Sequence, residues 1–138
     1  MQFQRIMSLL DRFHVKRLLI LCHHNADPDA ICSAFAFSSL LKRLRPNLQI
    51  EVAAAQGPSR LSKELLKVLP IELTSNPHIE EADLIALLDT NTIQQLDGWG
   101  ERVKEAGAPI IVIDHHASHP ETERLATLCI LNEEASST

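Results

Sequence analysis

The sequence predicts an α/β fold in which a mostly parallel sheet carries helices on both faces. Three short stretches, at residues 18–21, 83–88 and 110–113, consist almost wholly of apolar residues, which is typical of strands covered on both sides. Segments long enough for a helix separate them, as in chains of alternating strands and helices. Asp and His side chains closely follow each stretch. Because ligands bind beyond the carboxyl ends of parallel strands, this pattern predicts a functional site at one edge of the sheet.

The first half of the predicted sheet is a strand–helix–strand unit. Residues 1–14 precede it as an amphipathic helix, because their apolar side chains recur at spacings of three and four. After the strand at 18–21, a helix is predicted over 28–44. Asp27 can cap its first turn, a proline occupies its first position, and Pro46 stops it. Apolar residues cover much of its circumference, so we expect this helix to be largely buried.

The second strand is predicted at residues 48–55, which alternate and then become small and apolar; this completes a βαβ unit. A turn at 56–59 follows, in which Ser59 can cap a short helix that Pro70 ends, and residues 71–73 suit a brief strand. The remaining predicted elements are a loop at 74–78, a strand at 83–88, a helix in pieces at 93–106 that is broken near Gly98 and Gly100 and ended by Gly107, a strand at 110–113, a loop at 117–120 and a last strand at 125–131.

Composition indicates one soluble globular domain. The chain has 138 residues, of which 45% are hydrophobic and 22% charged. Thirteen Lys and Arg against 18 Asp and Glu give a net charge of -5, which argues against nucleic-acid binding through a broad basic surface. Two bound divalent cations would add four positive charges and bring the sum to about -1. A phosphate substrate is therefore not excluded.

Cysteine usage indicates a reduced, cytoplasmic protein without disulfides. Cys22, Cys32 and Cys129 are odd in number, and none belongs to a Cys-x-x-Cys pair. The first residues lack the basic end and apolar core of a secretory signal. No stretch approaches the roughly 18 apolar residues that a membrane span needs. We therefore expect no membrane partner.

The polar residues at the predicted strand ends have the chemistry of a metal site. The candidate ligands are His23, Asp27, Asp29, Asp89 and His115. Carboxylates with imidazoles suit Mn²⁺ or a similar ion better than Ca²⁺, and the lack of thiolates disfavours structural zinc. A carboxylate can bridge two ions. Two ions about 3.5 to 4 Å apart would favour hydrolysis of a phosphoester or phosphoanhydride.

Several polar residues at the predicted strand ends also have a simpler interpretation. Asp27 could be only a helix cap, and Asp89 only a turn residue. His116 could be a solvated loop residue, and Asn25 either a turn former or a hydrogen-bond donor in the site. His24 is better explained as a neighbour than as a ligand, because its side chain should leave the strand end opposite to that of His23.

Three motifs together resemble those of the DHH phosphoesterase family. Motif I corresponds to His23-x-x-x-Asp27-x-Asp29-Ala30, motif II to Asp89 and motif III to Asp114-His115-His116. They occur in the family's order, each at a strand end, about 60 and 25 residues apart. The resemblance runs from about residue 17 to residue 138 and implies a parallel sheet of about five strands.

The resemblance also implies roles for the motif residues. His23 and Asp27 would bind one Mn²⁺ ion, Asp29 and His115 a second, and Asp89 would bridge the two. His116 would face the scissile phosphate, and Asp114 would support the histidines. Asp89, Asp114 and His116 are thus the predicted catalytic residues, and His116 and Asn25 the predicted substrate contacts.

Two departures from the family pattern affect these expectations. Ala26 and Pro28 stand beside the aspartates of motif I, where relatives usually carry Pro-Asp-Gly-Asp or Pro-Asp-Thr-Asp. In the family, a fourth motif supplies a further aspartate, and an associated C-terminal domain carries a glycine-rich loop. We expect residues 1–138 to be a DHH catalytic domain cut before that motif, without the associated domain. The second ion would then be weakly held and the isolated chain slow or inactive.

The layout most resembles the nanoRNase and pAp-phosphatase branch, related to RecJ. The implied substrate is a short single-stranded oligonucleotide or a 3′-phosphorylated nucleotide such as pAp. A cyclic-dinucleotide phosphodiesterase, a RecJ-like exonuclease and a family II inorganic pyrophosphatase are alternatives of the same class. A non-catalytic metal-binding or interaction fragment is the alternative from a different class. The sequence does not fix the oligomeric state, and a homodimer is left open.

Overall fold

A computed structural model describes residues 1–138 and contains a five-stranded, wholly parallel sheet. Its strands are β1 (Arg17–Cys22), β2 (Gln49–Ala54), β3 (Leu84–Leu88), β4 (Ile110–Asp114) and β5 (Leu128–Leu131), in the order β2-β1-β3-β4-β5. The continuous apolar runs form the central strands because both of their faces are covered; every residue of β3 is buried. The predicted fold class is confirmed.

Helices cover both faces of the sheet. The helices are α1 (Gln2–Arg12), α2 (Pro28–Leu44), α3 (Arg60–Leu65), α4 (Trp99–Ala106) and α5 (Pro120–Leu125), with 3₁₀ turns at Ile79–Glu81 and Ile93–Leu96. Alternate strand residues point to opposite faces. Those on one face, such as Ile20, pack with α1 and α2, while those on the other, such as Leu21, pack with the 3₁₀ turns and α4. None of the helices is long and apolar enough to cross a lipid bilayer.

Helix α2 begins where predicted, but it is buried on one side only. The Asp27 side chain caps it by accepting a hydrogen bond from the amide of Ala30 at 3.0 Å. Ile31 and Leu41 on its inner face are fully buried, whereas Leu40 and Leu44 are each 44% exposed. The prediction of a largely buried helix was therefore wrong. The sheet covers one face of α2, and no second layer packs on the other.

Three local predictions also differ from the structure. Residues 71–73 form no strand, since only a single bridge joins Thr74 to Ala53 beside β2. Helix α5 takes up Leu125, so the last strand begins at Leu128. The break between the 3₁₀ turn and α4 falls at Asp97 and Gly98, while Gly100 lies inside α4. Gly107 ends α4 in a left-handed conformation, φ 68°, as predicted.

The strand order places a topological switch point beside β1. From β1 the chain crosses through α2 to β2 on one side of it, and then returns to β3 on the other side. Chains that diverge in this way leave a crevice beyond the carboxyl ends of the two strands. His23 follows β1 and Asp89 follows β3. Asp114 is the last residue of β4, the strand next to β3. The fold thereby brings the three motifs to one edge.

Candidate metal centre

Asp89 lies at the middle of the polar cluster. Its side chain is 1% exposed, its amide donates a hydrogen bond to the carbonyl of Ile113 at 3.0 Å, and its φ is 53°. The left-handed backbone turns the side chain away from the end of β3 and into the crevice. Its two carboxylate oxygens face different histidines: Oδ2 lies 3.5 Å from Nε2 of His23, and Oδ1 lies 3.4 Å from Nε2 of His115.

Each of these histidines also faces one aspartate at the start of α2. Nε2 of His23 lies 3.7 Å from Oδ1 of Asp27, and Nε2 of His115 lies 3.3 Å from Oδ2 of Asp29. The cluster therefore consists of two histidine–aspartate pairs with the Asp89 carboxylate between them. All five predicted ligands are brought together.

The histidines present the nitrogen that a metal needs. Nδ1 of His23 lies 2.8 Å from the carbonyl oxygen of His24, and Nδ1 of His115 lies 3.2 Å from that of Ala135. Because a carbonyl only accepts hydrogen bonds, Nδ1 carries a hydrogen in both rings. In the neutral imidazole Nε2 then has the free lone pair, and in both rings it faces the carboxylates. The donor set therefore fits divalent transition-metal ions.

The His23 ring is protonated in the metal-free protein. The hydrogen bond to Asp89 raises the pKa of His23 to about 9, although burial of the ring acts in the opposite direction. The ring is therefore cationic at neutral pH and partly neutralises the carboxylates. A divalent ion binding through Nε2 has to displace this proton.

Asp114 organises the loop after β4. Its Oδ1 accepts hydrogen bonds from the amides of His115 and His116 at 2.7 and 3.3 Å, and from Nδ1 of His116 at 2.7 Å. Its Oδ2 is buried without a partner. Burial acts to lower the pKa of His116, but the hydrogen bond to Asp114 and the charges of Asp114, Asp89 and Asp27 together outweigh it, so the net shift is upward. The His116 side chain is 50% exposed, so its Nε2 edge is accessible to a substrate.

His116 also belongs to the metal-capable group by distance. Its Nδ1 lies 3.6 Å from Oδ1 of Asp89, and it forms a cluster with Asp89, Asp114 and His115. The same Nδ1 is engaged by Asp114 at the shorter distance of 2.7 Å. The geometry therefore favours a ring held by Asp114 over a ring that binds an ion through Nδ1.

Two neighbours in motif I lie outside the cluster. The ring of His24 turns to the other side, where its Nδ1 is 3.5 Å from Oδ1 of Asp97. Asn25 is exposed, with φ 53°, and its amide donates a hydrogen bond to the carbonyl of Ala55. No hydrogen bond involves its side chain, so the structure places Asn25 as a turn residue; its contact with substrate stays a prediction.

Two further residues near the site have little signal in the sequence. Asn91 donates a hydrogen bond from Nδ2 to the carbonyl of Ala117 at 2.8 Å, which ties the loop after β3 to the loop after β4. Its position two residues after Asp89 is the available clue. Thr138 donates hydrogen bonds to Asp29 and Asp89. Such a contact depends on the path of the chain and has no local signature.

Cys22 lies beside the site but is not part of it. Its side chain is fully buried, and Sγ is 3.6 Å from the carbonyl oxygen of Ala30. Burial raises the pKa of the thiol to about 12, with the nearby Asp89 and Asp27 acting in the same direction. The residue therefore remains an uncharged core thiol, which is a poor metal ligand.

Comparison with known proteins agrees with the three motifs. The family model described as the DHH family, N-terminal domain, matches residues 17–138. An uncharacterized protein of Methanocaldococcus jannaschii is 33% identical over 135 residues, which cover 96% of this chain and 39% of that protein. A probable manganese-dependent inorganic pyrophosphatase of Bacillus cereus is 32% identical over 106 residues, or 74% of this chain and 32% of that protein.

Solved structures include the same fold. An exopolyphosphatase-related protein from Bacteroides fragilis matches 99% of this chain and 40% of its own length, with a TM-score of 0.75 and 21% sequence identity. The chain thus spans 32 to 40% of the length of these relatives.

Proposed function

The chain belongs to the DHH family, whose N-terminal domain it carries over residues 17–138, and we propose that it is a two-metal, Mn²⁺-dependent phosphohydrolase with residues 1–138 as its catalytic domain. The observation that carries this proposal is the position of Asp89. Its two oxygens lie 3.5 and 3.4 Å from Nε2 atoms of two different histidines. A carboxylate placed in this way can bridge a pair of ions.

The proposed ligands follow from the two histidine–aspartate pairs. One ion would be held by His23, Asp27 and Asp89, and the other by Asp29, Asp89 and His115. When bound, the ions would supply an activated water and neutralise the charge that develops on the phosphoryl oxygens. The chain itself contributes carboxylate oxygens and imidazole nitrogens held in fixed positions in the crevice. The central carboxylate, Asp89, is buried from solvent.

His116 is proposed to orient the phosphate. Asp114 fixes its Nδ1, which leaves Nε2 on the exposed edge of the ring as the donor to a phosphoryl oxygen. Asp114 itself would act from behind the site by holding the loop, since its Oδ1 accepts three hydrogen bonds from His115 and His116.

The proposed substrates are short single-stranded oligonucleotides or a 3′-phosphorylated nucleotide such as pAp, as in the branch that the layout resembles. A second candidate is inorganic pyrophosphate, because the relative from Bacillus cereus, at 32% identity, is described as a probable manganese-dependent inorganic pyrophosphatase. Both reactions would use the same pair of ions, and they differ in the groups attached to the phosphate.

The experiment offers the purified chain pAp, a dinucleotide, cyclic di-AMP and pyrophosphate with Mn²⁺, and follows product by chromatography and phosphate release. Mn²⁺ binding is measured in parallel, and Asp89→Asn serves as control. Product that depends on Mn²⁺ and on Asp89 supports the proposal, and its identity selects the substrate. Mn²⁺ binding that depends on Asp89, without product from any substrate, would favour a non-catalytic metal-binding module instead.

A further inference from the structure

Thr138 makes contact with two carboxylates of the centre at once. Its backbone amide donates to both oxygens of Asp29, at 3.0 Å to Oδ2 and 3.1 Å to Oδ1. Its hydroxyl donates to Oδ1 of Asp89 at 2.9 Å. Asp29 lies in the first turn of α2 and Asp89 follows β3, and both are far from Thr138 in sequence. The contacts therefore join three separate parts of the chain at the site.

The donors are placed to orient the carboxylates without using up their lone pairs. An ionised carboxylate offers about four lone-pair sites. The Thr138 amide takes up one lone-pair site on each oxygen of Asp29. The Ser33 hydroxyl, 3.4 Å from Oδ1, is a weaker second donor. The remaining direction of Asp29 Oδ2 points to the His115 ring at 3.3 Å. A cation between Asp29 and His115 would therefore meet a carboxylate whose rotation is already restricted.

The segment that carries Thr138 is anchored independently of these contacts. After β5, the amide of Asn132 donates a hydrogen bond to the carbonyl of Asp114 at 3.2 Å, and that of Ala135 donates to Asn132 at 3.0 Å. The carbonyl of Ala135 then meets Nδ1 of His115 at 3.2 Å. The segment 132–138 thus contacts His115, Asp29 and Asp89, which are the three residues proposed to hold the second ion.

We propose that Thr138 is a positioning residue of the metal centre, which fixes Asp29 through its amide and Asp89 through its hydroxyl for the second ion. This inference rests on the proposed two-metal function. Residues that orient metal ligands in this way change metal affinity by about 10- to 100-fold when they are removed. Loss of the hydroxyl should therefore weaken the second Mn²⁺ site by about 10-fold and leave the His23 site nearly unchanged.

The test compares Thr138→Val, which keeps the shape of the side chain but loses the hydroxyl, with Thr138→Ser, which keeps the hydroxyl. Ser137→Ala is the matched control, because Ser137 is exposed and makes no hydrogen bond. Mn²⁺ binding is measured by calorimetry and electron paramagnetic resonance, and free energies of unfolding are measured without metal. We expect weaker binding at one of two sites in Thr138→Val, recovery in Thr138→Ser, and wild-type affinity in Ser137→Ala, with every variant folded in the metal-free state.

A readout without metal isolates the amide contact. In the metal-free protein, the amide proton of Thr138 should give a downfield nuclear magnetic resonance signal that moves upfield in Asp29→Asn. Wild-type affinity or tighter Mn²⁺ binding in Thr138→Val would overturn the inference, and tighter binding would mean that the hydroxyl competes with the ion. A wild-type chain that binds no Mn²⁺ would overturn the proposed function together with this inference, so the two failures are distinguishable.

Discussion

The Oδ1 atom of Asp27 accepts a hydrogen bond from the amide of Ala30 at 3.0 Å and lies 3.7 Å from Nε2 of His23. One oxygen thus serves both the first turn of α2 and the candidate metal centre. The two interpretations of Asp27 as a cap and as a ligand are compatible, and substitutions can separate them.

Asp27→Ala should lower the free energy of unfolding of the metal-free protein by about 1 kcal/mol, because the helix loses its cap. Asp27→Ser retains a capping oxygen and should stay within a few tenths of a kcal/mol of wild type. Both variants should weaken Mn²⁺ binding. Urea denaturation and Mn²⁺ titration measure the two effects. Equal stability losses in Ala and Ser would show that the cap contributes nothing.

Asp89→Asn should abolish two-ion binding with little change of backbone, since asparagine adopts the left-handed conformation nearly as well as aspartate. We expect Mn²⁺ affinity to fall by more than about 100-fold, beyond the range of residues that only support a ligand. Calorimetry gives the affinity and the number of ions. Retention of two ions in Asp89→Asn would contradict the bridging role.

Asp89→Ala tests the cost of the left-handed backbone conformation at residue 89. The backbone at residue 89 has a φ of 53°. Alanine has no polar side chain to support this left-handed conformation, which costs it about 1 to 2 kcal/mol. Metal-free Asp89→Ala should therefore be less stable than metal-free Asp89→Asn by about that amount. Thermal and urea denaturation check this difference.

His116→Ala should separate substrate orientation from metal binding. With the ring removed, kcat for the active substrate should fall by about 10²- to 10³-fold, the effect of losing one donor to a developing charge. Mn²⁺ affinity should change by less than about threefold, because Nδ1 of His116 is engaged by Asp114. Steady-state kinetics and calorimetry test both parts. A large loss of Mn²⁺ affinity would make His116 a ligand instead.

Gly100→Ala should destabilise the fold without affecting the metal centre. A Cβ at this position would lie 2.6 Å from Cγ2 and 2.8 Å from the carbonyl oxygen of Ile93. The 3₁₀ turn and α4 would have to move apart, at a cost of about 1 to 3 kcal/mol. Gly98→Ala is the matched control, because a Cβ there meets nothing within 4 Å. Equal unfolding free energies in the two variants would contradict the packing described for Gly100.

Thiol labelling should distinguish Cys22 from Cys32. Cys32 is exposed and should react with a maleimide in the folded protein, whereas buried Cys22, with a pKa of about 12, should react only after unfolding. Mass spectrometry of digested, labelled protein at pH 8, with and without urea, makes the comparison. Labelling of native Cys22 at the rate of Cys32 would show that the crevice opens down to β1.

Local chemistry made much of the fold predictable. Asp27 and the proline after it mark the start of α2, and Gly107 marks the end of α4, because both effects act within one helical turn. The clustering of Asp89 with His23 and His115 was also predictable, since parallel strands end at one edge.

Features that depend on tertiary contacts were not predictable. The apolar residues 71–73 suggested a strand but find no neighbour to pair with beyond a single bridge. Leu40 and Leu44 suggested a buried helix, yet exposure depends on whether a second layer exists. The contact of Thr138 with Asp29 spans most of the chain, and only the fold creates it.

The conformation of Asp89 restricts what this position can hold. A backbone at φ 53° admits glycine, asparagine and aspartate most easily, while a bridge between two cations requires a carboxylate, which only aspartate and glutamate provide. Aspartate alone belongs to both sets. Under selection for both stability and metal binding, every single substitution at residue 89 therefore loses at least one property, and an exchange at this site would need a compensating change of the loop after β3.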